Sequence, residues 1–198
     1  MQTSTGSQIH VGCSGWVYKH WRGILYPEGL PQTRWFHRYA EEFDTVEINA
    51  SFYRVPLATT FDGWREKAPE RFRYAVKVNR FITHLKKLVG VEEALGEFID
   101  LARKLGPALG PLLYQLPPSL KIDLDRLENF LKLLPTDIDN VFEFRNQGWY
   151  VPELYALLDR YGASFCVHDM TGSRTDRIAV GPVAYVRFHG GVDKYWDR

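Results

Sequence analysis

The sequence predicts an α/β fold of the (β/α)8-barrel type, and three observations carry that prediction. Short apolar or aromatic runs alternate with segments of helical period along nearly the whole chain, an order that builds parallel sheets through right-handed crossovers. No GxGxxG or GxxxxGK[ST] follows a strand candidate, which removes the usual support for an open, doubly wound sheet with a phosphate loop. Charged and amide side chains close strand after strand, where a closed barrel gathers its functional groups.

The elements follow in order. IHVGCS (Ile9 to Ser14) is the first strand candidate. Thr33 to Phe43 reads as a helix, with Thr33 as N-cap and Trp35, Phe36, Tyr39, Ala40 and Phe43 as its apolar stripe. TVEIN (Thr45 to Asn49) is the second strand, and TTFDGWREKA is a helix capped by Thr59 or Thr60. FRYAVKV (Phe72 to Val78) is the third strand, and Val91 to Leu105 is the longest helix. PLLYQL is the fourth strand; the helix after it opens on Asp123 and stops before Pro135. NVFEF is the fifth strand, followed by VPELYALLDRYG, with proline early and glycine at its end as helices prefer. SFCVHD and VAYVRFH (Val183 to His189) complete the series.

Bulk properties exclude several classes. At 198 residues the chain suits one domain, residues 9–198, with residues 1–8 a loose polar tail. No apolar run approaches the roughly 18 residues of a membrane helix, and the polar N-terminus lacks a secretory apolar core, so a cytoplasmic protein is expected. Net charge is +1, so attraction to nucleic acid or to anions has to be local. Cys13 and Cys166 sit in apolar stretches with no CxxC pair and read as buried free thiols.

Residues two apart on a strand share a face. Glu47/Asn49, Glu143/Arg145 and Arg187/His189 therefore form polar pairs on single faces, and Lys77, Arg80, Gln115, His168 and Asp169 stand at other strand ends. In VFEFRNQGW (Val141 to Trp149), Phe142 and Phe144 face the helices while Glu143 and Arg145 face the barrel axis. Trp16, Tyr53, Trp149 and Tyr150 follow strands and either wall a pocket or pack the barrel top. His84 is expected on a loop above the mouth.

At these strand ends the sequence resembles a known family. VGCSGW, VEINASFY, FRYAVKVNRFITH, LLYQLPPS, FEFRNQGW and AYVRFHG together resemble the YecE-like proteins, domain of unknown function 72. The resemblance runs from Ile9 to Gly190 and implies a TIM-type barrel; the family carries no established molecular function. The family pattern continues into a further strand and helix where this chain ends at DKYWDR, and a whole barrel takes about 250 residues. A C-terminally incomplete barrel is therefore expected. MTGSRTDRIAVG, after His168-Asp169, is longer than the family pattern suggests, which sets His168 apart from the expected site.

Cations clustered at a low-dielectric mouth attract an anion, and arginine's fork matches phosphate or carboxylate. The expected function is an enzyme acting on a small anionic, phosphorylated substrate by acid/base chemistry. Its catalytic candidates are Glu47, Lys77, Glu143 and His189; its binding candidates are Asn49, Tyr53, Arg80, His84, Arg145, Trp149 and Arg187. Glu47 and Glu143 have a second possible role, holding the arginines. The alternatives are a nucleic-acid-binding or phosphodiester-cleaving barrel and a non-catalytic ligand-binding protein. No cofactor is expected. A divalent metal on Glu47, Glu143, Asp169 and His189 is a secondary option, opposed by the neighbouring cations; Cys13 as nucleophile is weaker still.

Overall fold

β-branched and aromatic residues at alternate positions give each strand an outer face that must be covered and an inner face free for other work. A computed structural model of the chain describes residues 8–170 and 173–189. All but the last residue of the expected tail lies outside the described residues, as do residues 190–198, on which the expectation of an incomplete barrel bears. The parallel strands are β1 (Gly12–Cys13), β2 (Thr45–Ile48), β3 (Arg73–Lys77), β4 (Leu109–Leu116), β5 (Asn140–Phe144), β6 (Ser164–Met170) and, after a short antiparallel β7 (Ser173–Arg174), β8 (Tyr185–Arg187). Each pairs with its predecessor in that order, except that β8 pairs with β6 and β7 forms a hairpin on the upper end of β6.

The sheet is curled. Tyr185 and Arg187 of β8 reach across its concave face to Glu47 on β2, at 2.9 Å each. Among the described residues β1 and β8 end the parallel series and do not pair with each other. Close approach at both ends depends on glycine. A Cβ on Gly12 would sit 2.0 Å from the Thr45 carbonyl oxygen, and one on Gly181 (φ +81) would sit 2.3 Å from that of Ala163.

Helices cover the convex face: α1 (Trp35–Glu42), α3 (Ala58–Lys67), α4 (Glu92–Arg103), α5 (Leu124–Leu131) and α6 (Pro152–Arg160), with a short α2 (Ala50–Tyr53) directly after β2. The Asp123 cap forms, its carboxylate accepting the Arg126 N–H at 3.0 Å. Two other expected caps do not. Thr33 lies inside a 3-10 turn, Gln32–Arg34, that leads into α1; α3 starts at Ala58 after an extended Leu57, so Thr59 and Thr60 fall within its first turn. In both cases the incoming chain sets the helix start before the threonine can cap it.

The two faces of the sheet differ in kind. Outward residues Val46, Ile48, Tyr74, Val76, Tyr114, Phe142, Phe144 and Phe165 are buried in one core with the helices, and Tyr114 stacks on Phe142 at 4.8 Å. Inward, Leu113, Val141 and Cys166 form a small apolar plug with Tyr185. Directly above that plug the inner face turns polar, with Glu47, Lys77, Glu143, His168 and Arg187 all buried. Both cysteines are free thiols. No described helix is long and apolar enough to cross a membrane.

Candidate functional site

Alternation on β2, β5 and β8 drives Glu47, Glu143 and Arg187 to one level of the concave face, where the curl closes a network. Arg187 Nη2 donates to Glu47 Oε1 at 2.9 Å, and Arg187 Nη1 donates to Glu143 Oε2 at 2.5 Å. Gln115 Nε2 and Tyr185 Oη donate to Glu143 Oε2 and Glu47 Oε2, each at 2.9 Å. Arg145 Nη2 lies 2.5 Å from Glu143 Oε1 and 3.0 Å from His189 Nε2, while its Nη1 meets the Met170 sulfur. The Arg145–Glu143 approach is an ion pair by distance, without the angle of a hydrogen bond. Burial alone would raise the Glu143 carboxyl; Arg187 and Arg145 outweigh it and hold that carboxyl below the ordinary range. Arg187 loses stabilisation through burial but recovers more from Glu47 and Glu143, so its guanidinium stays charged.

His168, opposite Arg187 in the strand register, sits beside this network, fully enclosed. Its Nε2 is 3.2 Å from Ser173 Oγ on the β7 hairpin, and its Nδ1 faces Glu143 Oε1 at 3.7 Å. Of five buried side-chain polar atoms without a hydrogen-bond partner among the described residues, four belong to this cluster: Glu143 Oε1, Arg145 Nε, His168 Nδ1 and His189 Nδ1. Native interiors leave few such atoms, and their concentration here marks a place where packing has been subordinated to polar chemistry.

Above the network opens a cavity of about 730 Å³, lined by residues from most strand ends, among them Ser14, Asn49, Tyr53, Lys77, His84, Gln115, Arg145, Arg187 and His189. Lys77 ends β3 with its Nζ 4.2 Å from the centre of the Phe52 ring, and no described carboxylate pairs with it. Burial and the Arg187 charge lower its pKa to about 8, Glu47 and Glu143 opposing only in part. His84 stands on a π-helical turn, Phe81–Leu85, rather than on an open loop, because Ile82 and Thr83 are buried beneath it. Its ring centre lies 4.9 Å from that of Phe52 in an edge-to-face arrangement, and its Nδ1 lies 2.9 Å from Thr83 Oγ1. Burial, Lys77 and Arg80 lower its pKa to about 4. The pKa of His189 is lowered by burial, then by Arg145 and Arg187.

Residues 10–198 match the family model described as "Protein of unknown function DUF72". The chain belongs to this family. Among DUF72 relatives, it is 26% identical over 210 residues to the UPF0759 protein YunF of Bacillus subtilis, a match covering 96% of this chain and 73% of YunF. It is 27% identical over 143 residues to the UPF0759 protein YecE of Escherichia coli K12, covering 72% of this chain but only half of YecE. A DUF72 structure from Thermotoga maritima superposes with a TM-score of 0.80 at 30% identity, covering 91% of this chain and 74% of that one. A second, from Enterococcus faecalis, gives 0.68 at 21% identity, covering 78% and 62%, and shows likeness of fold alone.

Within this DUF72 chain the expected site residues divide into groups. Asn49, Tyr53, Lys77, His84, Arg145, Arg187 and His189 line the cavity; Glu47 and Glu143 lie under it and hold the arginines. Arg80 is exposed and outside the lining. Trp149, expected at the rim, is buried against Phe144 at 4.9 Å, with its indole N–H on the Leu120 carbonyl at 2.9 Å. It belongs to the outer core because a 3-10 turn, Gln147–Trp149, folds it back over Phe144. Trp16 packs on Phe36 and Trp64, and Tyr150 bonds the Phe144 carbonyl. Tyr53 is therefore the member of that aromatic set that lines the cavity.

Sequence reasoning missed Tyr185, Ser173 and the burial of His168 at the cluster. An alternating polar position on β6 was the available signal for His168. Among the described residues no three His, Cys, Asp or Glu side chains are grouped to hold a metal; of the carboxylates in the metal option, Glu47 and Glu143 are bound by arginine and Asp169 accepts the His189 N–H. The Cys13 thiol is pushed up by burial, away from the thiolate that a nucleophile requires.

Proposed function

We propose that this protein is an enzyme that binds a small anionic substrate, phosphorylated in the reading we favour, at the polar end of its curled sheet. The observation that carries this is the charge balance of the cavity and its floor. Lys77, Arg145 and Arg187 face two carboxylates, Glu47 and Glu143, and the excess positive charge falls on Lys77. An anion is the ligand that completes such a set. In this reading Glu47 and Glu143 position the arginines. Neutral His84 supplies base function through its Nε2, since its lowered proton affinity keeps it unprotonated near pH 7, while His189 accepts from Arg145 and holds it in place. The curled strand order supports a TIM-type barrel as the family architecture, and two free thiols suit a reducing cytoplasm.

A second reading, one or two nucleotides of a nucleic acid in the same cleft, is favoured by Tyr53, which is 71% exposed beside the cavity and suited to stacking on a base. Thermal unfolding with inorganic phosphate, sugar phosphates and short oligonucleotides tests both. A ligand at a hundred times its Kd adds about 2.7 kcal/mol, or roughly 5–10 °C in Tm for a domain of this size. Such a shift with phosphate compounds, lost in Lys77→Met, is the expected result. A protein that responds to none of them overturns the anion reading. Oligonucleotide binding that weakens steeply with salt moves the assignment to the second.

A further inference from the structure

We propose that Lys77 is a nucleophilic amine that condenses with the carbonyl group of a phosphorylated aldehyde or ketone, holding it as an iminium ion on β3. The proposal rests on the anion-binding reading only for the phosphate that accompanies the carbonyl.

The geometry separates Lys77 from an ordinary buried countercharge. Both carboxylates at its level are taken: Glu47 by Arg187 and Tyr185, Glu143 by Arg187, Arg145 and Gln115. Its Nζ has instead a cation–π contact with the Phe52 ring at 4.2 Å, weaker than an ion pair, and the residue lines the cavity at 8% exposure. A lysine buried without a carboxylate is destabilised as an ammonium, and the same desolvation frees its lone pair for attack. The charged and titratable groups facing it are Glu47, Glu143, Arg145, Arg187 and His84. Burial, with Arg187 and against the two carboxylates, leaves a substantial neutral fraction near pH 8.

The chemistry balances without an outside oxidant or reductant. The amine nitrogen attacks the carbonyl carbon, the C–N bond forms, and the carbonyl oxygen takes up a proton to give a carbinolamine. That hydroxyl leaves as water when a second proton reaches it, and the nitrogen retains the positive charge. Counted from the ammonium, one cation and one carbonyl give one iminium cation and one water. The cavity charge is unchanged, so the surrounding network need not rearrange. His84, whose Nδ1 is engaged by Thr83, lines the same cavity and its Nε2 passes these protons in the proposed step.

The test uses the intact protein with glyceraldehyde 3-phosphate as probe at pH 8, sodium borohydride reduction, and mapping of the modified lysines by mass spectrometry. Exposed Lys104 and Lys132 serve as internal references. Modification of Lys77 at least about tenfold above the references is expected, because a depressed pKa raises the free-amine fraction at this pH. Its pH midpoint should lie near 8, and Lys77→Arg should abolish that adduct alone. Labelling of Lys77 no greater than that of the references overturns the proposal. Parallel reactions with unphosphorylated glyceraldehyde and with competing inorganic phosphate separate the two readings. A selective Lys77 adduct indifferent to phosphate upholds the amine and sinks the anion site; protection of the fold by phosphate without a Lys77 adduct does the reverse.

Discussion

Arg187 on β8 and Lys77 on β3 occupy the same level of the inner face and are buried almost equally, at 7% and 8% exposure. Their circumstances are opposite. Arg187 is gripped by two carboxylates, its fork satisfied on both arms, and its charge is reinforced. Lys77 has a cation–π contact with Phe52 and lines the cavity without a carboxylate, and burial weakens its charge. A buried cation with partners is a structural tie; a buried cation without them is held at a cost that folding does not recover. The β8 side of the mouth therefore reads as its frame, and the β3 side as the part free to act.

The largest effect expected from breaking this contrast is at Arg187. Arg187→Ala leaves Glu47 and Glu143 buried without their main partner and should destabilise the protein by about 3–5 kcal/mol, read by urea or thermal unfolding. A loss within experimental error would mean that the network is not the frame described here.

Lys77→Met should act in the opposite direction. Its folded pKa, about 8, lies below the ordinary 10.5, so between those values the unfolded chain binds the extra proton. Stability of the unmodified protein should then rise with pH through that window, by on the order of 3 kcal/mol. Lys77→Met should be the more stable protein at pH 7 and lack that rise. Identical pH profiles for the two proteins would show that Lys77 has a partner after all.

The smallest effect is expected at a third cation. Arg103 makes a two-armed pair with Asp137 at 2.7 and 2.9 Å, a better geometry than Lys77 has, but both side chains are largely exposed. Arg103→Ala should leave the unfolding midpoint almost unmoved, since water and salt screen exposed pairs. A loss as large as that of Arg187→Ala would remove burial as the explanation of the contrast.

Much of the site was legible along the chain. The alternation around Glu47, Glu143, Arg145 and Arg187 at β2, β5 and β8 is enough to assign them to the inner face, since a period of two leaves a strand side chain only two directions. Asp123 was legible as a cap for the same local reason. Trp149 was not, because whether an aromatic after a strand turns outward over the helices or inward over the mouth depends on a three-residue turn. His84 reads from the sequence as a loop residue because nothing local signals the buried turn under it. The threonine caps failed where the chain arriving from outside the helix decided its first residue.

The sequence by itself determined which strand side chains face inward and the presence of more cations than carboxylates at the strand ends. It also determined the order of the parallel strands and of the long helices between them, though not the short α2 or the β7 hairpin. Only the tertiary structure decided how those charges are shared. Glu47 and Arg187 are 140 residues apart, and no local rule pairs them; the curl of the sheet brings both to one point. That closure satisfies Arg187 and leaves Lys77 without a carboxylate. Pairing depends on distances across the sheet, whereas facing depends only on the pleat of each strand.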